Sequence, residues 1–236
     1  MAEIDRTAER HRAYVKFLTG RFYDAIDRHG FELNELPALA SRLRAESQTG
    51  QVLIMSSYLE ERFEHLMGVQ LRDVSSKKKR DEVFGGNGPL STFGSQVTLC
   101  YQLGWLTESG MKRLRCFKSI RNKFAHDAYK ASYSDQDVKL WFEPLESDLY
   151  SFYRSTSGFA LAGSSIKDLD LLSDDERKIC SMVLLLAYTC LDLLIYPQAV
   201  KHGLPEPAFV EGAPYPKSMI SVFHSVYGCV HSLLRD

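Results

Sequence analysis

Arg121, Asn122 and His126 close a basic stretch of the chain, and their side chains are those best suited to chemistry. An imidazole titrates close to neutral pH, so His126 can give or take a proton; it can equally hydrogen-bond Asn122 and finish a helix. Asn122 and His126 are four residues apart, which lets their side chains touch on a helix. Arg121 offers a planar fork of donors that fits a carboxylate or a phosphate. Six basic residues lie between Ser109 and His126 (Lys112, Arg113, Arg115, Lys118, Arg121 and Lys123), with no acidic residue among them. Such a run repels itself, and a phosphate backbone or an acidic protein surface would relieve it. The helix dipole alone also favours cations near a C-terminus. Arg121, Asn122 and His126 are therefore candidate reactive groups, and Lys112, Arg113, Arg115, Lys118 and Lys123 candidate anion or nucleic-acid contacts.

On a helical wheel, Met111, Leu114, Phe117, Ile120 and Phe124 share one face, while Arg115, Asn122 and His126 form an adjoining polar stripe. Arg121 falls within the apolar face, where an arginine seldom lies without a partner. Two readings follow. Arg121 snorkels or pairs with a carboxylate of another helix, such as Glu60 or Glu61, or it lines a cleft and meets an anion. Arg121 and His126 stand about 140° apart on the wheel, so a dimer would ease their joint action at one site.

The elements that must position these residues read as helices throughout. Thr107 is a candidate N-cap, with Glu108 well placed beside the helix start, and the helix extends to about His126. The preceding helix spans Thr92 to Leu103, with Gly104 at the C-terminal cap. Val52, Met55, Leu59, Phe63 and Leu66 form an apolar stripe on a helix over Gln51 to Arg72. Ala8 to Arg28 and Leu36 to Glu46 read as two further helices. Asp73 to Pro89 reads as a surface loop carrying Lys77–Arg80 and a glycine cluster that lacks a P-loop ending. A segment from Asp135 to Arg154 is interrupted near Pro144. Ser173 and Glu176 have capping-box spacing and open an apolar helix that Pro197 ends. Residues 203–217 read as a loop and Lys217 to Leu234 as a last amphipathic helix. Without a convincing alternating strand pattern or internal repeat, the expectation is an all-α bundle.

The chain has 236 residues, enough for a sizeable core, with 29 Lys and Arg against 30 Asp and Glu. That balance argues against a surface basic all over, though not against a local patch. The charged start carries no secretory signal, and five cysteines without a CxxC pair fit buried free thiols in a reducing cytoplasm. No cysteine–histidine cluster has metal-ligand spacing, so neither metal nor cofactor is expected. Ile179 to Tyr196 is apolar but short for a membrane span and contains Asp192; it reads as a central core helix rather than a membrane segment.

Three segments precede or surround the basic stretch: Tyr58-Leu59-Glu60-Glu61, then Gly88 to Ser95 with Tyr101-Gln102-Leu103-Gly104-Trp105-Leu106, and later Ser132-Tyr133-Ser134-Asp135. With Arg121-Asn122-Lys123-Phe124-Ala125-His126, this order resembles the mannitol operon repressor (MltR-like) family over roughly Gln51 to Leu145. The six residues also match the arginine–x4–histidine pattern of HEPN domains. The resemblance implies a HEPN/MltR-like helical bundle with additional N- and C-terminal helices: an extension over 1–50, a core over 51–155 and a C-terminal segment over 156–236 packing on it. It implies a regulatory or interaction protein acting through a homodimer or partner complex. No helix-turn-helix with a basic recognition helix is evident, so regulation would run through a partner. The alternative that it implies is a metal-independent endoribonuclease, a toxin or defence effector, acting on RNA. There His126 would serve as general acid or base, Arg121 would hold the phosphate, and Asn122 would orient either. A third reading makes the motif a structural tie between helices.

Overall fold

The computed structural model describes residues 35–71, 74, 76–156 and 166–201, together with 226, 228–230 and 232–234. The expected helix over Ala8–Arg28, the 203–217 loop and most of the last helix lie outside these residues. Within them the chain is all-α, without a strand: α1 (Leu36–Arg44), α2 (Gln48–Gln70), α3 (Lys77–Phe84), α4 (Phe93–Gln102), α5 (Glu108–His126), α6 (Gln136–Thr156), α7 (Ile166–Leu171) and α8 (Asp174–Lys201).

Helix starts follow local hydrogen-bonding chemistry. Ser47, Ser76, Thr92 and Thr107 each accept, through the side-chain hydroxyl, the backbone N–H three residues on, at the heads of α2, α3, α4 and α5. At α8 the capping box closes in both directions: Glu176 N–H donates to Ser173 Oγ at 3.3 Å, and Ser173 N–H to Glu176 Oε2 at 2.7 Å. Gly104 follows α4 with a φ of 69°, a left-handed conformation that costs a side chain about 1–2 kcal/mol and glycine almost nothing.

Three expectations need correction. The stretch from Asp73 to Pro89 is not loop throughout, because Ser76 caps α3 and the lysine run forms its first turn. Arg80 of that helix fastens it to α2 through Glu64 at 2.9 Å. Pro144 does not interrupt α6. It is exposed, as is Leu140 four residues earlier, so the carbonyl that loses its N–H partner reaches water. Pro197 likewise lies inside α8, which continues to Lys201.

α8 runs through the middle of the bundle, packed chiefly on α2 and α6 and also on α1 and α5. It is long and apolar enough to cross a membrane, yet 88% of its apolar window is buried inside the protein, as in the core helix of a bundle. The core is continuous from Leu36 of α1 through α2, α5 and α6 to Val226, Cys229, Val230 and Leu233. The five cysteines are free thiols; all are buried except Cys116, which is half-buried, and burial pushes Cys100 and Cys229 up to about 12, far from the reactive thiolate range. Lys178 of α8 is also buried, an unusual place for an ammonium. It is held by Asp174 at 2.6 Å and Glu146 at 3.5 Å, over the rings of Tyr133 and Phe142.

Candidate functional site

The apolar face of α5 is the one expected. Leu114, Phe117, Ile120 and Phe124 are almost wholly buried, each contributing about 1.5–3 kcal/mol of transfer free energy. That burial fixes the rotation of α5 and with it the direction of every polar side chain on the helix. Phe124 packs edge-on to Tyr133 with ring centroids 5.5 Å apart, and Tyr133 packs in the same way on Phe142 at 5.3 Å. The Tyr133 hydroxyl donates to Gln51 Oε1 at 2.9 Å, and its backbone N–H donates to Gln48 Oε1 at 2.9 Å. The turn after α5 is thereby tied to the start of α2, with Thr49 Oγ1 donating to the Ala128 carbonyl at 3.1 Å.

Arg121 sits at the rim of the apolar face rather than within it, its side chain 41% exposed. Nη2 lies 3.5 Å from Glu60 Oε1, and Nη1 donates to Asn122 Oδ1 at 3.1 Å. Ser56 donates to the same Glu60 oxygen at 3.1 Å, so this carboxylate is braced on α2 before it meets the arginine. Of the two expected acidic partners, Glu60 is the one used. Asn122 holds Arg121 and not His126. The His126 side chain is exposed and makes no hydrogen bond or ion pair among the described residues. The end of α5 is closed instead by Asp127, whose backbone N–H donates to the Lys123 carbonyl at 2.9 Å. Beyond it the turn bearing Tyr129 stands fully in solvent.

The basic run differs most from its reading as an uncompensated charge. Lys112 pairs with Glu108 at 2.6 Å, Arg113 with Asp148 at 2.5 Å, and Lys123 with Asp127 at 3.2 Å. With Arg121 on Glu60, four of the six cations have a carboxylate. Arg115 and Lys118 are exposed and have none among the described residues. Two of the partners, Glu60 and Asp148, come from other helices and are distant in sequence. A charge count along the helix alone cannot show them.

Sequence reasoning missed a second polar cluster. Arg113 lies under the α5 start, with its guanidinium 5.6 Å above the ring of Tyr188 on α8 and Asp192 nearby on the same helix. In sequence Arg113 reads as a candidate anion or nucleic-acid contact; the signal for this cluster is Asp192, the single carboxylate between Ile179 and Tyr196. A separate cleft of about 240 Å³ opens between α2 and α3, lined by Glu61, Arg62, Glu64, His65 and Arg80. Its walls carry both signs of charge and include none of the α5 candidates. Among the described residues no group of three or more histidines, cysteines or carboxylates could hold a metal ion.

Fold and site together define an all-α bundle with a half-open arginine–carboxylate–amide cluster at the end of one helix. No family model, curated protein or solved structure matches the chain.

Proposed function

We propose that the protein is an MltR-like regulatory or interaction protein, working in the cytoplasm through a helical dimer or a partner complex and without turnover. One observation carries this reading: the residues of the motif serve one another. Arg121 is engaged by Glu60 and Asn122, and Phe124 packs on Tyr133, so the Tyr58–Glu61, Arg121–His126 and Ser132–Asp135 segments converge as packing and bonding partners. The Arg121 fork is turned toward Glu60 and Asn122, and the His126 side chain has no orienting partner among the described residues, an arrangement that favours a holding role over phosphate binding. With four of its six cations paired to carboxylates, the basic helix leaves Arg115 and Lys118 as its unpaired cations among the described residues, which weakens its attraction to a nucleic-acid backbone. The exposed turn with Tyr129 beside His126 provides an aromatic contact of the type that anchors protein interfaces.

A second reading, a HEPN-type metal-independent endoribonuclease, is favoured by one feature. Arg121 and His126 both reach solvent at the same end of α5, where a second subunit could complete a site across a two-fold axis. Its signature is RNA turnover in EDTA that His126→Ala abolishes. Sedimentation equilibrium of the purified full chain tests the leading reading. A dimer at micromolar concentration is expected; a chain that stays monomeric, and leaves the size of every co-purifying species unchanged, overturns it.

A further inference from the structure

Asp192 is the single acidic residue between Ile179 and Tyr196 of α8. It is half-buried against the first turn of α5. A Cβ at Gly110 would stand 3.0 Å from Asp192 Oδ2 and 3.1 Å from Thr107 Oγ1, so glycine leaves the carboxyl its room. Among the described residues the Asp192 side chain makes no hydrogen bond and no ion pair. The opposite charge that acts on it is Arg113, one turn further along α5, but that guanidinium is held by Asp148 of α6, Nε to Oδ2 at 2.5 Å. It also covers Tyr188 of α8, so it already touches both neighbouring helices. One cation from α5 is thus paired with a carboxylate of α6, lies over Tyr188 of α8, and acts on the carboxyl of Asp192 one turn further along α8.

We propose that Arg113 is a proton-controlled latch: with Asp192 protonated it ties α5 to α6 through Asp148, and with Asp192 ionised it turns its fork toward α8, so that one proton decides which helix holds the start of α5. The guanidinium suits this role because it stays charged and carries donors on more than one edge. Among the described residues the charge that acts on Asp192 is Arg113 of α5, which is itself paired with Asp148 of α6. Arg62 of α2 acts on Cys190, two residues earlier on α8. Glu108 and Lys112 of α5 are exposed and satisfy each other, and Arg44 of α1 is committed to Glu176 at the other end of α8. No second cation competes for Asp192 among these.

Burial raises the Asp192 carboxyl to about 7, with Arg113 opposing; burial also raises Asp148, against the same arginine. An aspartate of the unfolded chain ionises near about 4. Between those values the folded chain therefore binds one proton more than the unfolded chain, and this site's contribution to stability falls as pH rises through the window. The latch is thus set to change partner close to neutrality.

Carbon-13 NMR of the side-chain carboxyls in the full chain tests the proposal, with the Asp192 signal assigned as the one missing in Asp192→Asn. Wild type is expected to show a midpoint near 7. In Asp148→Asn, Arg113 is released to Asp192 and the midpoint drops by about one pH unit or more. If Asp148→Asn does not fold, Arg113→Gln gives the converse, a midpoint that rises. A wild-type midpoint near the ordinary value of about 4, or one that neither variant moves, overturns the latch.

Discussion

Glu60→Gln is the sharpest probe of the cluster at the end of α5. The substitution removes the charge facing Arg121 but keeps an oxygen acceptor for Ser56, which is buried and donates to Glu60. The ion pair spans 3.5 Å, with the arginine 41% and the glutamate 35% exposed. Coulomb's law in water gives two unit charges at that separation about 1 kcal/mol, before salt screening and the loss of side-chain freedom reduce it. Glu60→Gln should therefore cost about 0.2–1 kcal/mol. For a chain of this size the urea dependence of unfolding is about 2–3 kcal/mol per molar, so the midpoint should fall by less than about 0.5 M. Urea titration followed by circular dichroism at low and moderate salt reads this directly, and the small difference should shrink further as salt rises. A loss of about 3–5 kcal/mol, unaffected by salt, would refute the reasoning. It would mean that Arg121 is a buried tie whose partner cannot be removed, as in the purely structural reading of the motif.

Two further substitutions test the scaffold. Phe124→Ala removes a wholly buried ring that meets Tyr133 edge-on, and should cost about 3–5 kcal/mol in chemical denaturation while loosening the Tyr129 turn. Ser173→Ala opens the capping box at the head of the central helix and should cost about 1 kcal/mol, seen as a lowered thermal midpoint with unchanged helix content.

Much of the scaffold was legible because its signals are local. Thr107, Gly104 and the Ser173–Glu176 pair each announce a helix end through hydrogen bonds that span only a few residues. The apolar stripe of α5 fixed its buried face from periodicity alone. The α3 helix was missed because three lysines in a first turn oppose the helix dipole, and the surrounding glycines argued for loop. Its support is tertiary: Arg80 on Glu64 and Phe84 packed into the core. Pro144 and Pro197 were read as breaks on intrinsic preference, which packing of the flanking turns overrides.

At the site, the wheel position of Arg121 points to a pairing with Glu60 or Glu61, and Glu60 is the partner used. The pairing of Arg113 with Asp148 is not legible in this way, since nothing near Arg113 in sequence points to a carboxylate on α6. Charge compensation between helices is a property of the fold, and a basic run judged on its own helix overstates its free charge. The partnership of Asn122 with Arg121 rather than His126 has the same origin, because Glu60 draws the guanidinium to that side.

The measurement that bears most directly on the proposed function is incubation of the purified full chain with mixed RNA in EDTA, beside His126→Ala, read on a denaturing gel. Both proteins should leave the RNA intact over hours at micromolar concentration. Cleavage by the wild type that disappears in His126→Ala would contradict the account and make Arg121 and His126 the working groups of a nuclease.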